Sequence, residues 1–256
     1  MATFEMDARA VRSAASLQES SRVLGRTFSL ICSLSLLFAW NAFSANASTR
    51  LDSLEARFGP TEAEDAKSYP LIGRFRNTFY YVAPEAEMDS TLPLDAAVRT
   101  LEGAVIARVP RAFKKAMDIE GTGRLRDGRV VNFAGVVERE IRYQETVHPW
   151  GRGVGDCPLV PFRSVAVDRT KVALGSTVYI EETAGKRLPD GTFHDGLWRA
   201  DDVGGAIKQD RVDLFTGDGY RSGDLLTQWG IRHMNPITLR LVAPPAEKNC
   251  TQETPR

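Results

Sequence analysis

Short apolar runs separated by glycine and proline fill the chain between residues 73 and 243. The run 74–82, RFRNTFYYV, is aromatic and bounded by glycine and proline, which predicts a β-strand. Runs of similar character predict further strands at 101–109, 129–137, 160–167, 177–180 and 236–242. Two short helices are predicted, at 111–117 after Pro110 and at 221–229. Many short strands with few helices favour a small barrel rich in antiparallel strands.

A glycine-rich loop is predicted from Tyr143 to Gly155, between two of these strands. It contains Trp150, and Trp198 stands shortly before an acidic segment. The rings of Tyr143, Trp150 and Trp198 are candidates for ligand contact, because aromatic side chains offer large apolar faces. Aromatic residues at such positions more often pack in the core or anchor a loop.

The first 47 residues have the outline of a secretory signal peptide. Arg22 and Arg26 precede an apolar run at 28–43, and the small residues of Ala45-Asn46-Ala47 predict cleavage before Ser48. A membrane anchor is the alternative, but a span needs about 20 mostly apolar residues and this run is shorter. We therefore expect an exported protein of the periplasm or cell envelope, with no stable membrane span after removal of the signal.

The length of 256 residues favours one domain with flanking tails. We predict a polar linker at 48–72, the domain itself at 73–243 and a polar tail at 244–256. The chain carries 33 basic and 33 acidic residues, so bulk charge gives no reason to expect a nucleic-acid partner. The sequence leaves the oligomeric state open.

Two cysteines, Cys157 and Cys250, remain after removal of the predicted signal peptide. An even pair in an exported chain is a candidate disulfide, which would attach the C-terminal tail to the loop before residue 160. Two unpaired thiols are the alternative.

The segment 200–219, ADDVGGAIKQDRVDLFTGDG, concentrates five aspartates among glycine turns and short apolar pieces. Burying so many carboxylates would cost free energy, and a fully solvated loop would expose the short apolar runs. The combination of both predicts strand ends and turns that line a polar cleft. Asp202 and Asp213 are eleven positions apart across a Gly-Gly turn, which allows their side chains to meet on one rim. Two close carboxyls cannot both ionise easily, and a carboxyl with a raised pKa can serve as a proton donor.

No metal or cofactor is predicted. His148, His194 and His233 are scattered, and no pair has the spacing of helix-borne metal ligands. No calcium-loop string or phosphate-binding glycine pattern occurs either.

Three motifs in the second half of the chain carry a resemblance to a known family. The first is an apolar strand that ends in Asp168 and leads through a turn into a second strand. The second is A-x-D-x-G-G-A-I-K at 200–208, and the third is R-x-D-x-F at 211–215. In this order they resemble the 3D domain, named for three aspartates and shared with the membrane-bound lytic transglycosylase A family. The resemblance covers roughly 73–242, and Gln209 departs from it at a position where glycine often follows the lysine.

The resemblance implies a mainly β fold, namely a six-stranded double-psi β-barrel with a few short helices. The lytic transglycosylase A family carries an additional inserted domain, and the sequence is expected to leave little room for one.

The resemblance also implies a function, the cleavage of the β-1,4 bond between N-acetylmuramic acid and N-acetylglucosamine in peptidoglycan glycan strands. In lytic transglycosylation the sugar's C6 hydroxyl attacks C1 and leaves a 1,6-anhydro end. By this resemblance Asp213 takes the position of the acid that later acts as base, Asp202 is its close partner, and Asp168 positions the rim or the substrate. The implied substrate-binding residues are Lys208, Gly204, Trp198, Tyr143 and Trp150.

Two alternatives stay open at this point. A glycoside hydrolase would cut the same bond with water and release reducing ends, for which a second carboxylate is usual. A wall-binding barrel would hold the glycan without cutting it.

Overall fold

A computed structural model describes residues 66–245 of the chain. The predicted signal peptide, the linker before residue 66 and the tail after residue 245 lie outside the described residues. The described part is mainly β-sheet, as the sequence predicted, and its helices are few and short. None of the helices in this part is long and apolar enough to cross a membrane.

The strands of the described part, numbered in chain order, are β1 Leu71–Pro84, β2 Ala96–Arg99, β3 Val105–Val109, β4 Thr122–Arg124, β5 Val130–Val137, β6 Glu140–Thr146, β7 Ser164–Ala166, β8 Thr177–Ile180, β9 Leu197–Asp202, β10 Arg211–Asp218 and β11 Pro236–Ala243. The α-helices are α1 Arg111–Glu120 and α2 Asp224–Gln228. Short 3-10 segments lie at Glu85–Glu87, Val154–Asp156, Glu181–Thr183 and Tyr220–Gly223.

Six of these strands close into a ring in the order β10-β7-β9-β8-β11-β1. The ring closes because β1 pairs with two neighbours, in parallel with β10 and antiparallel with β11. Side chains alternate between the two faces of a strand, so every second residue of β10 points inward. Val212 and Leu214 are accordingly buried in the main core, together with Val165, Val178 and Leu239.

The end of β1 leaves the ring and begins a second sheet. Ala83 and Pro84 pair in parallel with Gly123 and Arg124 of β4, and β4, β5 and β6 then continue as antiparallel neighbours. The hairpin β2–β3 and helix α1 cover this sheet, and a separate core lies between them. Its largest buried side chains are Phe113, Met117 and Tyr143. The segment 85–146 is therefore a second structural unit, larger than the sequence was expected to allow.

Two details of the predicted strands differ from the structure. The predicted strand 101–109 is a strand only over β3, and residues 101–104 belong to the turn of the β2–β3 hairpin, where Gly103 adopts a φ of 89° and donates its amide to the Thr100 carbonyl. The predicted loop 143–155 begins inside β6, where the pattern is too short to stand out from the glycines that follow. Tyr143 holds this strand against α1, since its hydroxyl donates a hydrogen bond of 2.6 Å to the Asp118 carboxylate.

One ion pair joins the second sheet to the ring. The Arg124 guanidinium on β4 donates hydrogen bonds of 2.9 and 3.0 Å to the two carboxylate oxygens of Asp218, the last residue of β10. It also donates to the Pro149 carbonyl at 2.6 Å. A two-pronged contact of this kind fixes orientation as well as distance. It therefore helps to set the spacing between the two units.

Cys157 is buried and disulfide-bonded. Its partner lies outside the described residues, so the bridge to Cys250 stays a prediction.

We expect Gly123→Ala to lower the free energy of unfolding by about 1–3 kcal/mol, the usual cost of overpacking a core. A Cβ at this position would lie 2.4 Å from Met117 Sδ and 2.9 Å from Phe113 Cζ, so α1 would have to move away from β4. Gly205→Ala is the matched control, because a Cβ there meets nothing within 4 Å. Urea unfolding of both variants measures the effect, and equal losses would contradict the tight packing of α1 on β4.

Candidate active site

A cavity of about 480 Å³ lies between the ring and the second sheet. The ring contributes Asp202 and Asp213, and the second unit contributes Asp118 and Glu120. The hydroxyl-bearing side chain of Tyr80, from β1, also lines it. Four carboxyl groups therefore share one concave space that is partly closed to water.

Asp202 and Asp213 reach this cavity from two strands that flank β7. Ala166 on β7 is the register partner of Asp202 on β9 and also of Asp213 on β10. Ala166 itself lines the cavity, and its small side chain leaves the space between the two carboxyls open. The structure thus brings together the two aspartates that the sequence placed on one rim.

Asp213 faces the cavity because its strand neighbours Val212 and Leu214 face the main core. Its Oδ1 is buried and has no hydrogen-bond partner among the described residues. Burial raises the pKa of the carboxyl, while the Thr78 hydroxyl and the charges of Arg211 and His233 lower it in part. A buried acceptor without a partner costs free energy, and a proton or a ligand donor would satisfy it.

Asp202 ends β9, where its Oδ1 accepts a hydrogen bond of 2.8 Å from the Val203 amide. Burial raises the pKa of Asp202 to about 6, against the lowering effect of the Val203 amide and the Tyr80 hydroxyl, and with smaller increases from Asp201 and Asp213. The Tyr80 hydroxyl is close enough to influence Asp202, but it meets no partner at ordinary hydrogen-bond geometry. Asp202 therefore keeps a proton to a higher pH than an ordinary aspartate.

Asp201 belongs to a different environment. It is almost fully buried, pairs with the Arg199 guanidinium and accepts a hydrogen bond of 2.6 Å from the Ser164 hydroxyl. It lies outside the set of residues that line the cavity. We interpret Asp201 as a structural residue that ties β9 to β7.

Asp168 anchors a loop and does not line the cavity. Its carboxylate accepts hydrogen bonds from the Gln209 amide at 2.7 Å and from the amide and hydroxyl of Thr170 at 2.9 and 2.8 Å. These donors, together with the charge of Lys208, lower its pKa to about 2. Gln209 has a φ of 55°, the left-handed conformation that favours glycine. Asp168 thus holds the loop between Asp202 and Asp213 from outside.

Gly204 and Lys208 sit on that loop and differ in exposure. Gly204 lines the cavity, and a Cβ there would lie 2.5 Å from Ile207 Cγ1. Lys208 is exposed and does not line the cavity. It lies near Asp168, whose pKa its charge helps to lower.

Two of the aromatic candidates are corrected by the structure. Trp198 is 1% exposed in the main core, and its indole N–H donates to the Thr183 hydroxyl. Tyr143 is 0% exposed in the second core. Neither ring can offer a face to a ligand, because both are enclosed by packed side chains. Trp150 is half-buried and packs against the cluster that contains Tyr80 and Phe215.

Glu120 is a cavity residue that the sequence analysis missed. It is the last residue of α1, and its Oε2 accepts a hydrogen bond of 3.2 Å from the Tyr81 amide. Burial raises the pKa of Glu120 to about 7, against the lowering effect of the Tyr81 amide and hydroxyl, and with a further increase from the charge of Asp213. The sequence does show a glutamate followed by glycine at the end of an amphipathic helix, which could have marked Glu120 as a candidate. Nothing in the sequence connected this position with residues 202 and 213.

Apolar side chains form part of the cavity rim. Ile119, Phe133 and Val154 line it and are among the exposed large hydrophobic residues. Among the described residues, no group of three or more histidine, cysteine or acidic side chains is arranged to hold a metal ion.

The arrangement provides carboxyls that hold their protons to a higher pH than ordinary aspartate or glutamate side chains do. Asp202, Asp213 and Glu120 all have raised pKa values, and burial is the first cause in each case. Carboxyls that stay protonated in a cleft can act as general acids and, once ionised, as bases.

The family model of the 3D domain matches residues 163–239. The chain therefore carries a 3D domain, as its three motifs indicated. No match was found among curated proteins.

Several solved structures are similar to this chain. MltA from E. coli with bound chitohexaose has 17% identity and a TM-score of 0.48, over 68% of this chain and 73% of that chain. The membrane-bound lytic murein transglycosylase from Agrobacterium tumefaciens has 17% identity and a TM-score of 0.48, over 66% and 74%. The lytic transglycosylase LtgG of Burkholderia pseudomallei has 18% identity and a TM-score of 0.35, over 66% and 70%.

We expect Asp202→Asn to stabilise the protein at pH 7.5 and to change little at pH 4. The folded state raises the pKa of Asp202 from 3.8 to about 6, so ionisation costs stability that is absent below pH 4 and complete above pH 6. The amide removes this cost and can still accept the Val203 hydrogen bond. The gain at pH 7.5 is about 1–3 kcal/mol, measured by urea unfolding at both pH values.

Asp210→Asn is the control for this experiment. Asp210 is exposed, and the Arg76 guanidinium lowers its pKa, so its neutralisation should not stabilise the protein at either pH. A gain of equal size in both variants would mean that general charge repulsion, and not burial at position 202, is responsible.

Proposed function

We propose that this chain, as the carrier of a 3D domain, is an exported peptidoglycan lytic transglycosylase that cleaves the β-1,4 bond between N-acetylmuramic acid and N-acetylglucosamine. The observation that carries the proposal is the state of Asp213, a half-buried carboxyl at a cavity wall with an unpartnered Oδ1 and a raised pKa. Perturbed carboxyls of this kind in clefts are typical of acid catalysts. The position of Asp213 in the R-x-D-x-F motif, which resembles that of the family's catalytic acid, supports the same role.

The proposed reaction uses one carboxyl twice. Protonated Asp213 gives its proton to the glycosidic oxygen, and the bond from that oxygen to C1 of the muramic acid breaks. Ionised Asp213 then takes the proton of the C6 hydroxyl while O6 attacks C1. The products are a new hydroxyl on the departing glucosamine and a 1,6-anhydro end, with Asp213 protonated again and no water consumed.

Asp202 supports this cycle as a charge partner. The charge of Asp213 raises the pKa of Asp202, so Asp202 holds its proton more readily once Asp213 has given up its own in the first step. Asp168 contributes from outside the cavity, by holding the loop 203–209 in place.

The cavity suits a glycan in size and surface. Its volume of about 480 Å³ falls within the range of roughly 300–1,000 Å³ that is usual for ligand sites. The apolar rim can contact the faces of sugar rings or acetamido methyl groups, and the backbone of Gly204, which lines the cavity, can contact a sugar. We propose Trp150 as a flanking contact and Lys208 as a contact for a carboxylate or acetamido group beyond the rim.

We also propose that the six-stranded ring has double-psi connectivity and that the domain extends over 73–243.

The predicted signal peptide would place the enzyme in the periplasm or cell envelope, where its glycan substrate lies. No cofactor is required for the reaction as written.

A glycoside hydrolase is the second candidate, and Glu120 is the observation that favours it. Hydrolases usually use a second carboxyl to activate water or to attack C1, and Glu120 supplies a second carboxyl from the other unit. The two reactions differ by one water molecule in their products.

We expect the mature chain to release muropeptides one water lighter than hydrolytic products from purified sacculi. Asp213→Asn should lower the initial rate by at least about 10³-fold, because an amide cannot donate the proton. Mass spectrometry of the soluble products measures both the rate and the mass. Products with reducing ends would support the hydrolase instead.

Asp210→Asn is the matched control, since it removes an exposed carboxylate three positions before Asp213 and should retain the wild-type rate. A protein that pellets with sacculi but releases nothing would be a binding module. Full activity of a folded Asp213→Asn would refute the assignment of the acid.

A further inference from the structure

Glu120 differs from Asp202 and Asp213 because the second structural unit, and not the ring, supplies it. It ends α1, where Gly121 adopts a φ of 79° and donates its amide to the Met117 carbonyl at 2.9 Å. The Gly121 carbonyl then accepts a hydrogen bond of 2.7 Å from the Phe133 amide. This closed turn aims Glu120 into the cavity and fixes it there.

The surroundings of Glu120 favour its neutral form. It stands at the C-terminal end of a helix, where the partial negative charge of the last carbonyls opposes a carboxylate. Asp213 adds repulsion across the cavity, whereas the Tyr81 amide and hydroxyl give some stabilisation to the charge. The neighbouring cation Lys114 pairs with Asp118, and Arg152 of the cavity wall pairs with Asp156. The nearby basic groups are therefore engaged elsewhere.

We propose that Glu120 is a substrate-binding residue, a neutral carboxyl that donates a hydrogen bond to a hydroxyl or acetamido oxygen of the glycan from the wall of the second sheet. The inference rests on the proposed function of this site. A glycan that enters the cavity displaces water, and this raises the cost of every charge in it. Glu120 then keeps its proton when Asp213 ionises.

A neutral Glu120 has a consequence for the choice between the two reactions. It cannot take a proton from water, so it does not supply the base that hydrolysis needs. It can hold one sugar while the C6 hydroxyl of its neighbour reacts at Asp213. Glu120 is thus a binding group of the transglycosylase and not the second catalytic carboxyl of a hydrolase.

The test compares Glu120→Gln with Glu120→Ala on solubilised glycan strands at pH 6. Glutamine keeps the length and a hydrogen-bond donor without a charge, so kcat/KM should stay within about threefold of wild type. Alanine removes the contact, and kcat/KM should fall about tenfold, mainly through KM, as expected for one lost hydrogen bond. Glu102→Ala, an exposed turn residue outside the cavity, should match wild type.

Two results would overturn the proposal. If Glu120→Gln is as inactive as Asp213→Asn, Glu120 is a base or nucleophile. If the kcat/KM of Glu120→Ala equals that of Glu102→Ala, Glu120 does not contact the glycan. If the alanine variant does not fold, Glu120→Met removes the hydrogen bond with little change in length. Asp213→Asn is assayed alongside and tests the proposed acid. The comparison of Glu120→Gln with Glu120→Ala tests the glycan contact, and its outcome does not depend on which group donates the proton.

Discussion

The parallel pairing of β1 with β10 is the constraint on which the rest of the molecule depends. It closes the ring, and it aligns Thr78 of β1 with Asp213 of β10. The far end of the same strand leaves the ring and starts the second sheet at Ala83. One continuous strand therefore fixes both walls of the cavity, so that the wall with Glu120 cannot shift without disturbing the ring.

This geometry has a free-energy cost, because it removes the carboxyls that line the cavity from water. Burial is the largest cause of the raised pKa of Asp202, Asp213 and Glu120. Asp201 has partial compensation, since Arg199 and Ser164 stabilise its charge, and burial still raises its pKa. The cavity carboxyls have weaker compensation, and free energy that could stabilise the fold is given up to keep protons available. Functional sites commonly show this compromise between stability and activity.

The sequence predicted contacts between site residues that are close to one another along the chain. Asp202 and Asp213 share one segment with a Gly-Gly turn, so their meeting could be expected from spacing and from the 3D-domain motifs. Glu120 comes from a distant helix, and only the tertiary pairing of β1 with β4 brings it to the same cavity. Tyr143 and Trp198 were predicted to lie in loops near the motifs, with the core as the alternative, and the structure places both rings in cores. The positions of β1, β5, β8 and β11 were predicted closely, whereas β2 was not predicted and part of β6 was placed in a loop.

The raised pKa values also describe how the chain folds. Between about pH 4 and pH 7 the folded state holds protons on Asp202 and Glu120 that the unfolded chain would release. Asp202 and Glu120 therefore take up protons when the chain folds in this range, whereas His194, whose pKa burial lowers to about 4, releases one. Mild acidity lowers the cost of burying the two cavity carboxyls and at the same time fills their acid form.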